Sequence, residues 1–299
     1  MKTFDIVLVT ANRFIDPNTS DWYSNQAIQE DQLLLDSCAR QGLRATRIEW
    51  TSKTFDWSST KCLVIRAIWD YHMRFDEFKS WLLRANKSTL LFNPVEAVGW
   101  NLDKIYLREM QSQGINIPQT IFFDKNDSKN VASLALSLNW EKFIIKPRVS
   151  AGGRETHLFN RDEIELKSEF INSLFSEEDM MIQEFQNNIV SQGEMSSIMF
   201  GEQYSHSIIK SAAAGDFRVQ DNFGGSVGEY IPSQKEIEFA KTCIEACPFD
   251  TSYARVDYFI DNQGELALGE LEIIEPELWF RECDTAADSL VTMIKGKIA

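Results

Sequence analysis

The strongest constraint on the fold lies in the first third of the chain, where short apolar runs alternate with amphipathic helical ones. Phe4–Thr10, Leu43–Trp50, Lys61–Arg66 and Leu90–Phe92 each read as a strand. Between them, Gln26–Gly42 places Ile28, Leu33, Leu34, Leu35 and Cys38 on one helical face, and Asp76–Ala85 does the same with Phe78, Trp81 and Leu82. Strand–helix alternation with short loops predicts a parallel, helix-covered sheet over residues 1–95. Asn12–Tyr23 reads as a loop with a turn at Asp16-Pro17-Asn18. The segment Arg66-Ala-Ile-Trp-Asp-Tyr-His72 falls just past the C-terminal end of a parallel strand, where open sheets hold their ligands. That makes Arg66, Asp70 and Tyr71 candidate substrate residues, with His72 a weaker one. The competing reading is an ordinary loop whose Trp69 caps the core.

After a break at Asn93-Pro94, Asn101–Gly114 reads as one helix capped by Asn101 and stopped by Gly114. Ile117–Phe123, Phe143–Pro147 and Met180–Phe185 read as strands, and Asn130–Leu138 as a helix. Ser196–Lys210 has the alternation of paired antiparallel strands about Gly201, followed by helices at Pro232–Ala246 and Asp284–Lys295. A chain of 299 residues with 43% apolar and 25% charged content suits a globular protein of two or three lobes. The net charge of −15 argues against nucleic acid or an anionic membrane as a partner. No apolar run approaches the ~20 residues of a membrane span, and the N-terminal strand lacks the features of a signal peptide. Five scattered cysteines fit a reducing, cytoplasmic setting. Cys243 and Cys247, four apart on a helix, find no further ligand pair for zinc.

The chemistry concentrates near the C-terminus. Ala254–Ile260 and Leu266–Leu271 read as two strands joined by the turn Asp261-Asn-Gln-Gly264. A hairpin would gather Asp257, Glu270 and Glu272, with the two glutamates on one face because they are two apart. Crowded carboxylates repel unless a cation lies between them, and hard oxygens suit Mg²⁺. The alternative is an exposed acidic edge in a protein that is acidic throughout. Upstream, Lys146 emerges at a strand end and is followed by Val149-Ser-Ala-Gly-Gly-Arg-Glu-Thr156, a small-residue loop whose N–H groups can approach phosphate. Its spacing is not that of a P-loop. Arg218, between Gly215 and Gly224-Gly225, has the fork that reads phosphate or carboxylate, or else forms a surface ion pair. Lys104 and Lys210 alone could equally be solvated charges.

The order of Lys104, Phe143-Ile-Ile-Lys146-Pro with its glycine loop, Met181-Ile-Gln-Glu-Phe185, Gly215-Asp-Phe-Arg218, Asp257 and Glu270-Leu-Glu272-Ile-Ile-Glu-Pro276 resembles the ATP-grasp superfamily, in its glutathione-synthetase-like branch. Within that branch the last motif normally ends in Glu-x-Asn; here Glu272 replaces the Asn, as in a subfamily that includes cycloserine synthetase. The Arg66–His72 and Asn93–Lys104 segments resemble that subfamily too. The resemblance implies an α/β ATP-grasp fold with an N-terminal parallel α/β lobe at 1–95, a lid-like central lobe at 96–185 and a metal-bearing lobe at 186–299. It implies a cytoplasmic ligase that joins a small-molecule carboxylate to an amine through an acyl-phosphate, using ATP and Mg²⁺ or Mn²⁺. The amine would belong to the same molecule, as in cycloserine synthetase, or to a second amino acid. A non-catalytic ATP-binding protein is the remaining alternative. Relatives are commonly homodimers. By position, Lys104, Lys146, Ser150, Gly152 and Gly153 would hold phosphates, Gln183, Glu184 and Phe185 the adenine, and Glu194 a ribose hydroxyl. In this carry-over the backbone of Glu184 and Phe185 meets the adenine edge. Arg218, with Lys210 and Arg255, would serve the phosphate in transfer, and Asp257, Glu270 and Glu272 the metal. Glu275 and Glu277 are further guesses for substrate.

Overall fold

The computed structural model describes residues 2–15, 21–127, 130–219 and 223–299. The expected turn at Asp16–Asn18 therefore lies outside the described residues, as does Gln220. The chain begins with β1 (Phe4–Thr10), α1 (Trp22–Arg40), β2 (Ala45–Glu49), β3 (Thr60–Ile65), α2 (Phe75–Ser88) and β4 (Leu90–Phe92). The four strands form one parallel sheet in the order β2-β1-β3-β4. The period of two decides what each face buries. Val7 and Val9 pack with Phe78 and Trp81 of α2. Ile6 and Leu8 pack with Leu34 of α1 and with Leu290, Val291 and Ile294 near the C-terminus. α1 starts at Trp22, four residues before the expected Gln26, because Asp21 caps it by accepting from the Tyr23 N–H (3.2 Å).

Next come α3 (Val95–Asn101) and α4 (Tyr106–Ser112), where the sequence predicts one helix. Asn101 is not an N-cap but the last residue of α3. Its amide imitates a neighbouring strand: Nδ2 donates to the Leu271 carbonyl (2.8 Å) and Oδ1 accepts from the Ile273 N–H (3.1 Å). The Tyr106 hydroxyl accepts from the Leu271 N–H (2.9 Å). These bonds dock both helices on the edge of the C-terminal sheet, and the break between them carries Lys104.

The middle of the chain runs β5 (Thr120–Phe123), α5 (Val131–Ser137), β6 (Lys142–Pro147), β7 (His157–Asn160), α6 (Glu163–Leu166), α7 (Ser168–Glu177) and β8 (Met180–Glu184). β5 is shorter than expected at its start, where Pro118 has no N–H to give a ladder. The strands form an antiparallel sheet ordered β5-β8-β6-β7. Phe143 and Ile145 pack under α5 and α7 with Phe123 and Phe175. Ile144 and Lys146 alternate to the opposite face.

The remainder comprises α8 (Asn187–Gln192), β9 (Glu194–Phe200), β10 (Gln203–Ser211), β11 (Ser226–Tyr230), α9 (Gln234–Glu245), β12 (Ala254–Ile260), β13 (Leu266–Glu272) and α10 (Ala286–Ile298). Its strands are antiparallel in the order β11-β10-β9-β12-β13. α9 opens with a capping box, Ser233 with Glu236, and packs Ala240 and Cys243 with Tyr258, Leu268 and Met110. α10 crosses back to α1, where the Ser37 hydroxyl donates to Asp288 (2.5 Å). No helix among the described residues is long and apolar enough to cross a membrane.

Candidate functional site

The hairpin of β12 and β13 builds the acidic wall. Asp257 pairs with Glu270 and Arg255 with Glu272, and a bulge after Asp257 leaves Gly269 as the extra residue. A Cβ on Gly269 would stand 3.0 Å from Phe259 and 3.3 Å from the Glu194 carboxylate, so the strand needs glycine to come this close. Around the wall lies a cavity of about 400 Å³ that takes residues from the middle and C-terminal sheets and, from the N-terminal lobe, Arg13, Tyr23, Trp69 and Tyr71, which lie outside its strands.

The cations come from different elements. Lys104, in the α3–α4 break, donates to the Glu270 carboxylate (2.8 Å) and to the Ser150 carbonyl (2.9 Å). Burial opposes its charge, but Glu270 outweighs it and holds the ammonium above its usual pKa. Lys146 points into the cavity from β6 and has no ion-pair partner among the described residues. Burial pulls its pKa down. On β10, Lys210 bridges Glu194 (2.9 Å) and Asp257 (3.2 Å). Arg255 forks onto Asp257 (2.8 Å) and reaches Glu272, stacking over the Trp279 ring at 4.9 Å. Arg218 is held by Asp216 (2.8 Å) and lies 3.6 Å over the Phe223 ring.

These pairings engage all three residues of the expected metal set, Asp257 most completely. Asp257 accepts from Ser196 (2.5 Å) and Arg255 and lies against Lys210, so its oxygens are committed inside the wall. Burial opposes its charge, yet Arg255 and Lys210 together hold its carboxyl well below the usual range. Among the described residues no group of three His, Cys, Asp or Glu is arranged to hold a metal ion. Glu270 and Glu272 do line the cavity. Each meets one cation there, and the two oxygens of each carboxylate leave further lone pairs for a ligand. Burial pushes Glu272 up to about 7 despite Arg255.

Ser150, Gly152, Gly153 and Thr156 line the opposite rim. Gly152 and Gly153 have φ of 60° and 72°, the left-handed region that glycine enters without strain. The Arg154–Glu178 ion pair (2.5 Å) fastens the loop to the C-terminal end of α7.

Gln183, Glu184 and Phe185 line the cavity at the end of β8. Their backbone N–H groups are engaged within the protein: that of Glu184 donates to the Gln119 carbonyl (2.9 Å) and that of Phe185 to the Lys142 carbonyl (3.1 Å). Gln186 Nε2 donates to the Glu184 carbonyl (3.0 Å) and Asn262 Nδ2 to that of Phe185 (2.9 Å). What remains for a ligand is the second lone pair of each carbonyl. Glu194 lines the cavity but is tied to Lys210.

Of the loop after β3, only Tyr71 reaches the cavity among the three substrate candidates. Arg66 is 3% exposed, ion-pairs with Asp31 (3.4 Å) and donates to the Pro276 carbonyl (3.1 Å). Asp70 accepts from the Trp50 indole (2.9 Å). Trp69 does both things weighed for this loop: it packs on the cluster of Ala11, Phe14, Ala27 and Ala67 and it lines the cavity, and its Nε1 donates to the Glu275 carbonyl (3.2 Å). Tyr23, whose ring lies 5.3 Å from that of Trp69, is a wall residue that no motif marks, and Phe217, 6.2 Å from Phe185, is one that lies within the Gly215–Arg218 motif without being singled out by it.

Residues 6–93 match a family model described as the N-terminal domain of D-cycloserine synthetase DcsG. The chain is 28% identical over 183 residues to the cycloserine biosynthesis protein DcsG of Streptomyces lavendulae, covering 60% of this chain and 61% of that one. It spans about six-tenths of the length of the curated relatives it matches. The crystal structure of D-cycloserine synthetase DcsG is similar with a TM-score of 0.84 at 21% identity, covering 98% of this chain and 99% of that one. The ATP-grasp ligase PsnB, in complex with the precursor peptide PsnA2 and AMPPNP, is similar with a TM-score of 0.62 at 14% identity, covering 98% and 99%. The chain carries a DcsG-type N-terminal domain at residues 6–93 and has the ATP-grasp fold over its length.

Proposed function

We propose that this protein is an ATP-dependent ligase that joins the carboxylate of a small amino-acid-like substrate to an amine. The observation that carries the reading is a single cavity lined by Lys146, an ammonium with no carboxylate partner among the described residues, together with a glycine loop, Arg218 and the Glu270–Glu272 pair. A half-buried cation without a carboxylate partner is costly unless a ligand supplies the anion, and a phosphate chain does so. The similarity to DcsG and to a ligase bound to AMPPNP supports the same assignment.

In this reading Lys104, Lys146 and the N–H groups of the Ser150–Thr156 loop hold the phosphates. Phe185, Phe217 and the carbonyls of Glu184 and Phe185 receive the base. Gln183 and Glu194 complete the nucleotide wall. Glu270 and Glu272 hold Mg²⁺, which often takes one or two carboxylates and the rest of its ligands from phosphates and water. Bound there, the ion would neutralise charge on the phosphates. Asp257 acts through others: it fixes Arg255 and Lys210 beside the acidic wall.

A substrate carboxylate oxygen attacks the γ-phosphorus and the bond to ADP breaks, giving an acyl-phosphate. Arg218 and Arg255 stabilise the charge on the transferred group. The amine nitrogen then attacks the acyl carbon, loses a proton and expels phosphate. The lobe at 96–185 would close over the site and exclude water from the acyl-phosphate. The amine comes from the same molecule, the reading that similarity to a cycloserine synthetase favours, or from a second one. The test is phosphate release from ATP and Mg²⁺ against amino acids, O-ureidoserine and amino acid pairs. Stimulation by a carboxylate supports the ligase, and product mass identifies the source of the amine. Nucleotide binding without stimulation by any carboxylate would leave only an ATP-binding protein.

A further inference from the structure

Among the described residues, five of the seven carboxylates that line the cavity are matched to cations, and Glu184, at the end of β8, and Glu275, beyond β13, are not. Glu270 has Lys104, Glu272 has Arg255, Asp257 has Arg255 and Lys210, Glu194 has Lys210, and Glu277 has Arg281 at 2.5 Å. Glu275 lines the same cavity; among the described residues no lysine or arginine lies within ion-pair distance of it, Lys104 acts on it only from farther off, and burial with the neighbouring Glu272 pushes its carboxyl up to about 8. Its place is fixed from the N-terminal lobe. The Trp69 indole holds the Glu275 carbonyl, and the Arg66 guanidinium holds that of Pro276. An anion enclosed without a counter-charge is unfavourable, and a ligand that brings a cation removes the penalty. The surroundings suit an ammonium. The rings of Trp69 and Tyr23 line the cavity, and aromatic faces attract cations.

Resting on the ligase reading above, we infer that Glu275 is the specificity residue that receives the protonated amino group of the substrate, so that the enzyme selects an amino acid over the same carboxylate lacking the amine. Glu277, held by Arg281, forms the outer edge of that subsite. Arg281 also pairs with Glu30 of α1 (3.1 Å), so the subsite is braced from the N-terminal lobe. The reacting carboxylate then extends from this end of the cavity towards Glu272 and Arg255.

The test is binding rather than turnover, so that it stands apart from the ligase reading. Protein saturated with AMPPNP and Mg²⁺ is titrated with the standard amino acids and their D-forms, and each that binds is compared with the 2-hydroxy acid of the same skeleton. At least one amino acid should bind, and its hydroxy counterpart should be about ten- to a hundred-fold weaker. Glu275→Gln should weaken the amino acid by a similar factor and abolish the discrimination, while AMPPNP affinity shows the fold is kept. Glu275→Asp, which restores the charge, should recover part of it. Equal binding of amino and hydroxy acids, undiminished amino acid binding by Glu275→Gln, or no amino acid bound at all overturns the inference. A loss of Mg²⁺ affinity with amino acid binding intact also overturns it, by assigning Glu275 to the ion. Failure of AMPPNP itself to bind would instead remove the ligase reading beneath it.

Discussion

Lys104 and Lys146 line one cavity, yet their surroundings predict opposite responses to the same substitution. Lys104 is neutralised by Glu270 at 2.8 Å and donates to a carbonyl at 2.9 Å. In Lys104→Met the Glu270 carboxylate and the Ser150 carbonyl both lose a partner, which costs about 1–3 kcal/mol of stability. Lys146 has no such partner among the described residues, and burial already pulls its pKa down. Methionine in its place keeps most of the packing of the stem and removes a charge the cavity disfavours. Lys146→Met should therefore leave the ligand-free protein as stable as the parent, or stabilise it by up to about 1 kcal/mol. Its cost falls on the nucleotide: losing one charge-assisted bond to phosphate is worth about 1.5–3 kcal/mol, or ~10–150-fold in Kd. Scanning calorimetry of the ligand-free variants, followed by titration with AMPPNP and Mg²⁺, reads both quantities. If Lys146→Met destabilised the free protein as much as Lys104→Met, or bound AMPPNP normally, the reasoning from unmatched charge would be wrong.

Glu270→Ala and Glu272→Gln should each abolish carboxylate-stimulated phosphate release with the far-ultraviolet spectrum unchanged. Normal turnover by both at ordinary Mg²⁺ contradicts the two-carboxylate assignment. Glu272 also predicts a pH effect. Its pKa is about 7 when folded against 4.5 for the ordinary side chain, so between those values the native state holds a proton that the unfolded chain has lost. Its contribution to stability is present below 4.5 and is lost as pH rises through 7. The melting temperature of the free protein should fall over that interval, and Glu272→Gln should flatten the slope; an equally steep slope in the variant rules Glu272 out as its source. Gly193 has φ of 83°, and a Cβ there would lie 2.8 Å from the Lys210 carbonyl, whereas at Gly201, with φ of 59°, the nearest atom is 3.9 Å away. Gly193→Ala should cost about 2–4 kcal/mol in urea unfolding and Gly201→Ala about 1, and equal losses would show that the close approach is relieved cheaply.

The backbone was legible wherever local pattern decides it. The period of two in Val256, Tyr258 and Ile260, with the turn at Asp261–Gly264, marks the β12–β13 hairpin, and strand–helix alternation marks the parallel sheet. Long-range partners were not legible. Asn101 looks like a cap until β13 arrives at its amide from 170 residues away. Arg66 stands at a strand end, as a ligand residue would, but Asp31 and the Pro276 carbonyl take its guanidinium. In the acidic hairpin the sequence displays the charges but not their matching, so the enclosure of Asp257 by Arg255, Lys210 and Ser196 could not be read from it. Tyr23 carries no motif, and Trp69 and Phe217 sit inside quoted segments without being singled out as wall residues, because an aromatic facing a cavity has the same local pattern as one in a core.

The most direct test of the central claim follows an oxygen atom. A carboxylate that stimulates phosphate release is prepared with ¹⁸O in both carboxyl positions and turned over with unlabelled ATP, Mg²⁺ and its amine. Activation through an acyl-phosphate transfers one ¹⁸O to each phosphate released, and mass spectrometry of the phosphate should show it. Phosphate free of the label would mean that the γ-phosphate passes to water instead, and the account of this protein as a carboxylate–amine ligase would be contradicted.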